Sequence, residues 1–349
     1  MSSTSTSTSG NSSAKAKLPT SLVNTLSTHA GPINAITFSS LGGTYILTGS
    51  SDRQIHLSRS EPNTTTSSSV PPTTNKPIQK YAAHGYAVLD IAVAQDNQTF
   101  ASAGGDRAVF LWDVQNAEGT LRRFGNNTSQ GHTSRINCVA FAGQGDSVLA
   151  SGSDDTSVRL WDVKSRDAKP LMVLEEAKDG ISSIVVPGNG HEIVAGSVDG
   201  RVRSYDVRMG RVTVDVMPGS VTSLDVSRDA RALLVGCLDG RLRMMDRADG
   251  TCLRGFPPEG NTEEYKNDSL RLKSCFAVNE SLVLSGSEND GSVRAWDVLS
   301  GKHVGNVEVN PSGKVVSVVK WREGSLAQAR QGLWAGGGLE GVVNIYAAA

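Results

Sequence analysis

A motif that recurs in one frame along most of the chain constrains its fold more than any other feature. Three copies are clear: SAGGDRAVFLWDV (102–114), SGSDDTSVRLWDV (151–163) and SGSENDGSVRAWDV (285–298). Each copy joins small residues to an acidic turn and then to a strand that ends in Trp-Asp. A short unit of this kind cannot bury its apolar face alone, so neighbouring repeats must pack against one another.

Four weaker copies fit the same frame: TGSSDRQIHLSRS (48–60), AGSVDGRVRSYDV (195–207), VGCLDGRLRMMDR (235–247) and AGGGLEGVVNIYA (335–347). Apolar and polar residues alternate within each unit, which indicates β-strands. The repeats are about 40 to 54 residues apart and resemble WD repeats. We predict an all-β fold, a seven-bladed WD-repeat β-propeller with four antiparallel strands per blade. The turn acids, each six residues before the Trp-like position, are Asp52, Asp106, Asp155, Asp199, Asp239, Asp290 and Glu340.

The last unit of the chain lacks a fourth strand of its own. The chain stops after VVNIYAAA, and LVNTL (22–26) near the N-terminus can supply the missing strand. A propeller closed in this way has no unpaired terminal edge. We therefore predict a single propeller over residues 21–349, closed by an N-terminal strand. Residues 1–20 are rich in Ser and Thr and are predicted to be a disordered tail.

Two insertions interrupt the regular repeat pattern. Residues 61–77 are rich in Ser, Thr and Pro and fall between the third and outer strands of blade one. Strand direction alternates, so this insertion lies on the face that we call the bottom. Residues 257–271 fall between an outer and an inner strand, which places them on the opposite face, the top. The top insertion mixes acids, bases and Tyr265 and is the better candidate for contact with a partner.

The repeated polar residues are predicted to form hydrogen-bonded sets inside two blades. A Ser, a His and an Asp that converge could also form a hydrolytic triad. Here the same set recurs from blade to blade and points into the sheets, so we interpret it as structural. The sets are His84, Ser102, Asp106 and Trp112 in blade two, and His132, Ser151, Asp155 and Trp161 in blade three.

Composition and motifs argue against several function classes. A net charge of -1 gives no strong field for nucleic acid or an anionic membrane, so we expect neither sequence-specific nucleic acid binding nor a membrane partner. GGGLEG (336–341) satisfies a dinucleotide pattern but occupies a repeat turn rather than the start of a helix. The four cysteines have no paired spacing. We predict that the chain is not an enzyme and has no catalytic residues, no metal and no cofactor.

The candidate binding residues lie where the repeats differ from one another. The arginine-rich stretch DGRVRSYDVRMG (199–210) is one repeat among seven, and nearby aspartates nearly cancel its charge. We interpret it as an ion-paired blade edge, with a weak docking strip for an acidic partner left open. Residues on the top face have no common structural role and include types enriched in binding hot spots. The predicted protein-binding residues are Tyr86, Arg135, Lys178, Asp179, Tyr265, Lys273 and Lys314.

Particular stretches resemble a known family. HGYAVLD (84–90), EAKDGISS (176–183) and YDVRMG (205–210) are similar to the mitogen-activated protein kinase organizer, a WD-repeat scaffold. EAKDG and YDVRMG are not generic repeat features. The resemblance implies a non-catalytic scaffold that holds kinase-cascade components together, as a monomeric propeller within larger complexes in the cytoplasm, the nucleus or both. The family is also associated with spliceosomes, so a nuclear role in pre-mRNA splicing is an alternative. A ubiquitin-ligase substrate receptor is a third.

Overall fold

The computed structural model describes residues 17–40, 42–61, 76–125, 129–188, 190–258, 265–324 and 332–347. In this part of the chain the regular structure consists of 28 strands and one short 3-10 turn, Gln144–Asp146. The strands form seven antiparallel sheets of four strands each. The predicted all-β fold, a seven-bladed propeller with four strands per blade, is therefore confirmed.

The first four blades follow the chain in order from inner to outer strand. Blade one contains β2 (Ile33–Phe38), β3 (Tyr45–Ser50), β4 (Ile55–Arg59) and β5 (Gln79–Tyr81). Blade two contains β6 (Val88–Val93), β7 (Thr99–Gly104), β8 (Val109–Asp113) and β9 (Arg122–Phe124). Blade three contains β10 (Ile136–Ala142), β11 (Val148–Ser153), β12 (Val158–Asp162) and β13 (Met172–Leu174). Blade four contains β14 (Ile181–Val185), β15 (Glu192–Ser197), β16 (Arg201–Asp206) and β17 (Arg211–Val216).

The last three blades include the one that both chain ends build. Blade five contains β18 (Val221–Val226), β19 (Ala232–Cys237), β20 (Arg241–Asp246) and β21 (Cys252–Phe256). Blade six contains β22 (Ser274–Ala277), β23 (Leu282–Gly286), β24 (Ser292–Asp297) and β25 (His303–Glu308). Blade seven contains β26 (Val316–Arg322), β27 (Leu333–Gly338), β28 (Val343–Ala347) and β1 (Ser21–Leu26).

The N-terminal strand closes blade seven as the sequence predicted. β1 pairs antiparallel with β28, so that Leu22 faces Tyr346 and Leu26 faces Val343. The Thr25 hydroxyl also donates to Asn344 Oδ1 at 2.9 Å. Joining the two ends of the chain in one sheet covers the edge of β28 that would otherwise be open to another strand.

The predicted disordered tail extends too far. Residues 17–20 are described: Leu18 packs into the apolar cluster between blades six and seven, and Trp334 Nε1 donates to Pro19 O at 2.7 Å. The Leu-Pro pair buries apolar surface that a Ser/Thr tract cannot offer. Residues 1–16, most of the bottom insertion (62–75) and part of the top insertion (259–264) lie outside the described residues.

The hydrophobic core lies between neighbouring blades. One cluster joins Leu47 and Ile55 of blade one to Phe100 and Trp112 of blade two. Across the same boundary between blades (a seam), the Tyr81 hydroxyl donates to Val114 O at 2.6 Å. Each seam therefore depends on side chains from two repeats, as expected for a repeat that cannot fold alone.

In blades two and seven the second strand ends in a glycine for a steric reason. A Cβ on Gly104 would lie 2.1 Å from Ala87 O, and one on Gly338 would lie 2.0 Å from Val315 O. These distances are far below van der Waals contact, so only glycine allows the backbone segments to approach this closely. In blades two and seven, the strand-end glycine thus allows the second strand to approach the residue just before the inner strand.

Candidate protein-interaction surface

In blade three, the structure brings the four predicted polar residues together in one buried set of hydrogen-bonded side chains. His132 Nδ1 lies 2.9 Å from Asp155 Oδ2, and His132 Nε2 lies 2.8 Å from Ser151 Oγ. Trp161 Nε1 donates to the same Ser151 oxygen at 2.8 Å. Ser151 is 0% exposed, so no substrate can reach its hydroxyl. The arrangement connects two strands, the loop before the inner strand and the turn between β11 and β12, and it offers no accessible nucleophile.

Burial and hydrogen bonding fix the charge states of His132 and Asp155. Burial lowers the pKa of His132 and outweighs the opposing effect of Asp155, so the imidazole is neutral near pH 7. Burial alone would raise the pKa of Asp155, but hydrogen bonds from His132, Ser157 and the Thr133 amide hold it well below its usual range. Blade three is thus held by a neutral histidine and an ionised aspartate.

Blade two repeats the same geometry. His84 lies 2.5 Å from Asp106 and 2.7 Å from the Ser102 hydroxyl, and Trp112 Nε1 donates to Ser102 Oγ at 2.8 Å. The four polar residues that the sequence singled out in this blade therefore also form one connected set.

Blade one keeps part of this chain and replaces its aromatic end. His29 lies 2.8 Å from Asp52 and 2.9 Å from the Thr48 hydroxyl. Ser58 stands where blades two and three have tryptophan. The His56 ring stacks on His29 with centroids 3.8 Å apart, as Phe110 stacks on His84 in blade two. Burial and the neighbouring His29 lower the pKa of His56 to about 3.

Blades four to six hold the equivalent turn with an arginine. The ion pairs are Asp199 with Arg203 at 2.6 Å, Asp239 with Arg243 at 2.5 Å, and Asp290 with Arg294 at 2.6 Å. The sequence placed Arg203 on an outward blade edge, but its side chain is 3% exposed. The ion pair was expected and its burial was not. Arg159 is likewise buried at the equivalent position of blade three.

The prediction that Tyr265 is an exposed contact on the top insertion is wrong about its position. Tyr265 is 4% exposed, its hydroxyl lies 2.9 Å from Ser285 Oγ, and its ring meets Trp296 edge-on at 5.2 Å. Ser285 is the blade-six counterpart of Ser102 and Ser151. Tyr265 therefore occupies the structural place of the histidine in blades two and three.

The central channel is crossed by side chains from opposite blades, and Lys273 is one of them. Lys273 lies 2.6 Å from Asp90 of blade two, although the sequence predicted it as a protein-binding residue on the top face. Asp90 also accepts the Val139 amide of blade three at 3.0 Å. Lower in the channel, Lys320 and Asp225 lie 3.9 Å apart. These pairs join blades that are distant along the chain.

The remaining predicted contact residues are exposed on the top face. Tyr86 is 64% exposed, Arg135 has a side chain 59% exposed and pairs with Asp154 at 2.5 Å, and Lys178, Asp179 and Lys314 are exposed as well. All five belong to segments that connect an outer strand to the next inner strand. The top face therefore carries varied, accessible side chains around the mouth of the channel.

Two classes of site are missing from the part of the chain that is described. No group of three or more His, Cys, Asp or Glu side chains is placed to hold a metal ion. No helix among these residues has the length and hydropathy needed to cross a bilayer.

Seven four-stranded blades with WD-type turns define a WD-repeat β-propeller. The family model for the WD domain, G-beta repeat, matches residues 20–57, 75–113, 125–162 and 168–206, so its matches end in blade four. Human WD repeat domain-containing protein 83 is 38% identical over 285 residues, which cover 82% of this chain and 81% of that protein. The chain belongs to the family of WD repeat domain-containing protein 83, as the sequence resemblance indicated.

Relatives from distant organisms align over a similar length. The Xenopus tropicalis protein of the same name is 35% identical over 288 residues, 82% of each chain. The Dictyostelium discoideum homolog is 29% identical over 305 residues, 79% of this chain and 85% of its own. None of these three names gives an enzymatic activity, and the family is one of interaction propellers.

Proposed function

We propose that this chain is a non-catalytic scaffold that organises a multiprotein complex through its top face. One observation carries the proposal: the residues that repeat from blade to blade are buried in hydrogen-bonded sets, whereas Tyr86, Arg135 and Lys178 are exposed and differ between blades. Side chains without a structural role on a rigid frame are suited to contact with a partner. Tyrosine and arginine are also the types enriched at binding hot spots.

By the family resemblance, we propose components of a mitogen-activated protein kinase cascade as the partners, with the chain in the cytoplasm, the nucleus or both. Affinity purification with partner identification tests this directly. Recovery of kinases supports the proposal, recovery of splicing factors would favour a spliceosome-associated role, and recovery of ligase adaptors would favour a substrate receptor.

The top-face assignment is tested with two folded multiple variants. In the top variant Tyr86, Arg135 and Lys178 are changed to alanine, and in the edge variant Arg201 and Arg241 are changed to alanine. Truncation of a hot-spot residue costs about 2 kcal/mol or more of binding free energy, so we expect the top variant to lose its purified partners and the edge variant to retain them. The reverse result would contradict the assignment.

A further inference from the structure

The mouth of the central channel contains a pocket that none of the interactions above explains. Its volume is about 410 Å³, which lies in the range of sites that bind small ligands or peptide side chains. It opens on the top face, and its walls come from several blades. The residues that matter to its chemistry are Arg135, Asn137, Thr222, Arg271 and Lys273.

Two of the three cations in this pocket are neutralised by the protein, and one is not. Lys273 pairs with Asp90 and Arg135 pairs with Asp154. Arg271 reaches across the mouth and donates to Ser182 O; among the described residues, no carboxylate lies within ion-pair distance of it.

A guanidinium presents five N–H donors, so a single carbonyl leaves most of them available. Burial lowers the pKa of Arg271, the direction expected for a cation that has lost water without gaining an adjacent counter-ion. A half-buried cation in this position favours an anion that can enter the mouth.

Two residues that line the same pocket each have an unpartnered polar atom. Thr222 and Asn137 are each 2% exposed. Within the described part of the chain, Thr222 Oγ1 and Asn137 Oδ1 have no hydrogen-bond partner. Buried polar atoms are normally paired, so these two require an explanation. The Thr222 hydroxyl can donate to an anion, and Asn137 Oδ1 can accept an N–H.

The inner strands around the channel share a pattern of hydrogen bonds to the next blade, and Thr222 departs from it. Side chains of four inner strands donate to the first inner-strand carbonyl of the following blade. The bonds are Asn34 to Val88 O, 2.8 Å, Asn137 to Ile181 O, 2.9 Å, Ser182 to Val221 O, 2.6 Å, and Ser317 to Ile33 O, 3.1 Å. Thr222 occupies the corresponding position of blade five but makes no such bond.

From these contacts we infer that the channel mouth binds the side-chain carboxylate of an acidic residue in a partner protein. The Arg271 guanidinium and the Thr222 hydroxyl donate hydrogen bonds to the carboxylate oxygens. Asn137 Oδ1 accepts a main-chain N–H of the same segment. A peptide supplies both the acceptor and the donor, which a free anion does not. This inference rests on the proposed top-face function and specifies the chemistry of its partner.

A peptide-display selection tests the inference even while the partner is unidentified. A random 12-residue peptide library is selected on the intact protein, and the enriched peptides are measured in solution against the protein and its variants. We expect every enriched family to contain an Asp or Glu whose replacement by Asn or Gln weakens binding at least tenfold. Loss of one partner of a buried charged hydrogen bond has effects of this size.

On the protein side, Arg271→Gln should weaken binding of these peptides at least tenfold. Arg208→Gln is the matched control, because Arg208 is exposed on the turn between β16 and β17 at the opposite face; it should bind as the wild type does. Thr222→Val, which removes only a hydroxyl at nearly constant volume, should weaken binding severalfold and serves if Arg271→Gln does not fold.

Three results would overturn the inference: no enrichment, enriched peptides without an essential acid, or binding unaffected by both pocket variants. These results are distinguishable from failure of the proposed function. Partner loss in the top-face alanine variant, together with peptides that ignore Arg271 and Thr222, would leave the top face as the scaffold surface and remove only the acid-binding pocket.

Discussion

Blades three and five hold the same turn with different chemistry. In blade three, Asp155 is buried beside a neutral histidine. In blade five, Asp239 pairs with Arg243, and both side chains are more accessible to water, at 23% and 14% exposure. The first arrangement depends on hydrogen bonds shielded from solvent, and the second on a permanent ion pair near the surface. Repeats that look alike in sequence can therefore differ in how much their shared geometry depends on polar contacts.

The difference follows from what each repeat has available. Blade three has His132 in the loop before its inner strand, and Trp161 completes the connection through Ser151. Blade five has Met245 at the tryptophan position, and an arginine on the strand reaches back to the acid. Exposed ion pairs contribute little because water and salt screen them, whereas a buried unpaired donor is costly.

The largest effect should come from removing the acid in blade three. We expect Asp155→Ala to lower the free energy of unfolding by about 2–3 kcal/mol, because it leaves the buried His132 without its partner. The matched variant Asp239→Ala should cost only about 1 kcal/mol, since Arg243 can turn to water. Urea unfolding of both variants measures the difference. Equal losses would show that the two turns are equivalent.

Lowering the pH should destabilise the blades held by histidines more than the blades held by arginines. The folded pKa of His56 is about 3, below its ordinary value of about 6.5, so the unfolded chain binds a proton first as the pH falls. This contribution to stability is complete above about pH 6.5 and is lost progressively towards pH 3. We expect His56 to account for a loss of about 1–2 kcal/mol between pH 7 and pH 5.

Thermal unfolding of wild type and His56→Gln at both pH values tests this expectation. The variant should lose less stability on acidification than wild type. The control His303→Gln changes an exposed residue on β25 and should lose as much as wild type. If His56→Gln and wild type respond identically to acid, the stacked pair in blade one is not the source of the sensitivity.

The overall architecture could be predicted because it depends on local patterns. The turn acid, the glycine before it and the Trp-like residue six positions later lie within one hairpin, and seven copies set the blade number. The closing strand could also be predicted, because blade seven lacked an outer strand and LVNTL (22–26) preceded the first repeat without a place in any other blade. The repeat pattern is local to each hairpin, and only the closing strand pairs residues that are distant along the chain.

The channel could not be predicted in the same way. Lys273 and Asp90 are 183 residues apart, and Arg271 meets Ser182 across 89 residues. Such pairs form only after seven blades close into a ring, and no periodic signal identifies them. The sequence therefore predicted Lys273 as a protein-binding residue of the top face and not as the partner of Asp90, and it did not single out Arg271, Asn137 or Thr222.

Tyr265 was missed although a signal for it exists. The residue that bonds the strand hydroxyl precedes it by 18 residues in blade two, 19 in blade three and 20 in blade six. The first two are histidines and the third is Tyr265, which stands in a long insertion that disguises the register. Spacing to the serine, rather than residue type, would have identified it as structural.

The smallest effect should come from removing only the hydroxyl of this tyrosine. Tyr265→Phe keeps the ring against Trp296 and removes the bond to Ser285, which retains a weaker bond to Gly286 O at 3.2 Å. We expect a loss of about 1 kcal/mol in the free energy of unfolding, measured by urea unfolding, with partner binding unchanged. Tyr86→Phe, at an exposed position, should leave stability within about 0.5 kcal/mol of wild type. If Tyr265→Phe instead weakened partner binding at full stability, its hydroxyl would serve the interaction surface and not the blade.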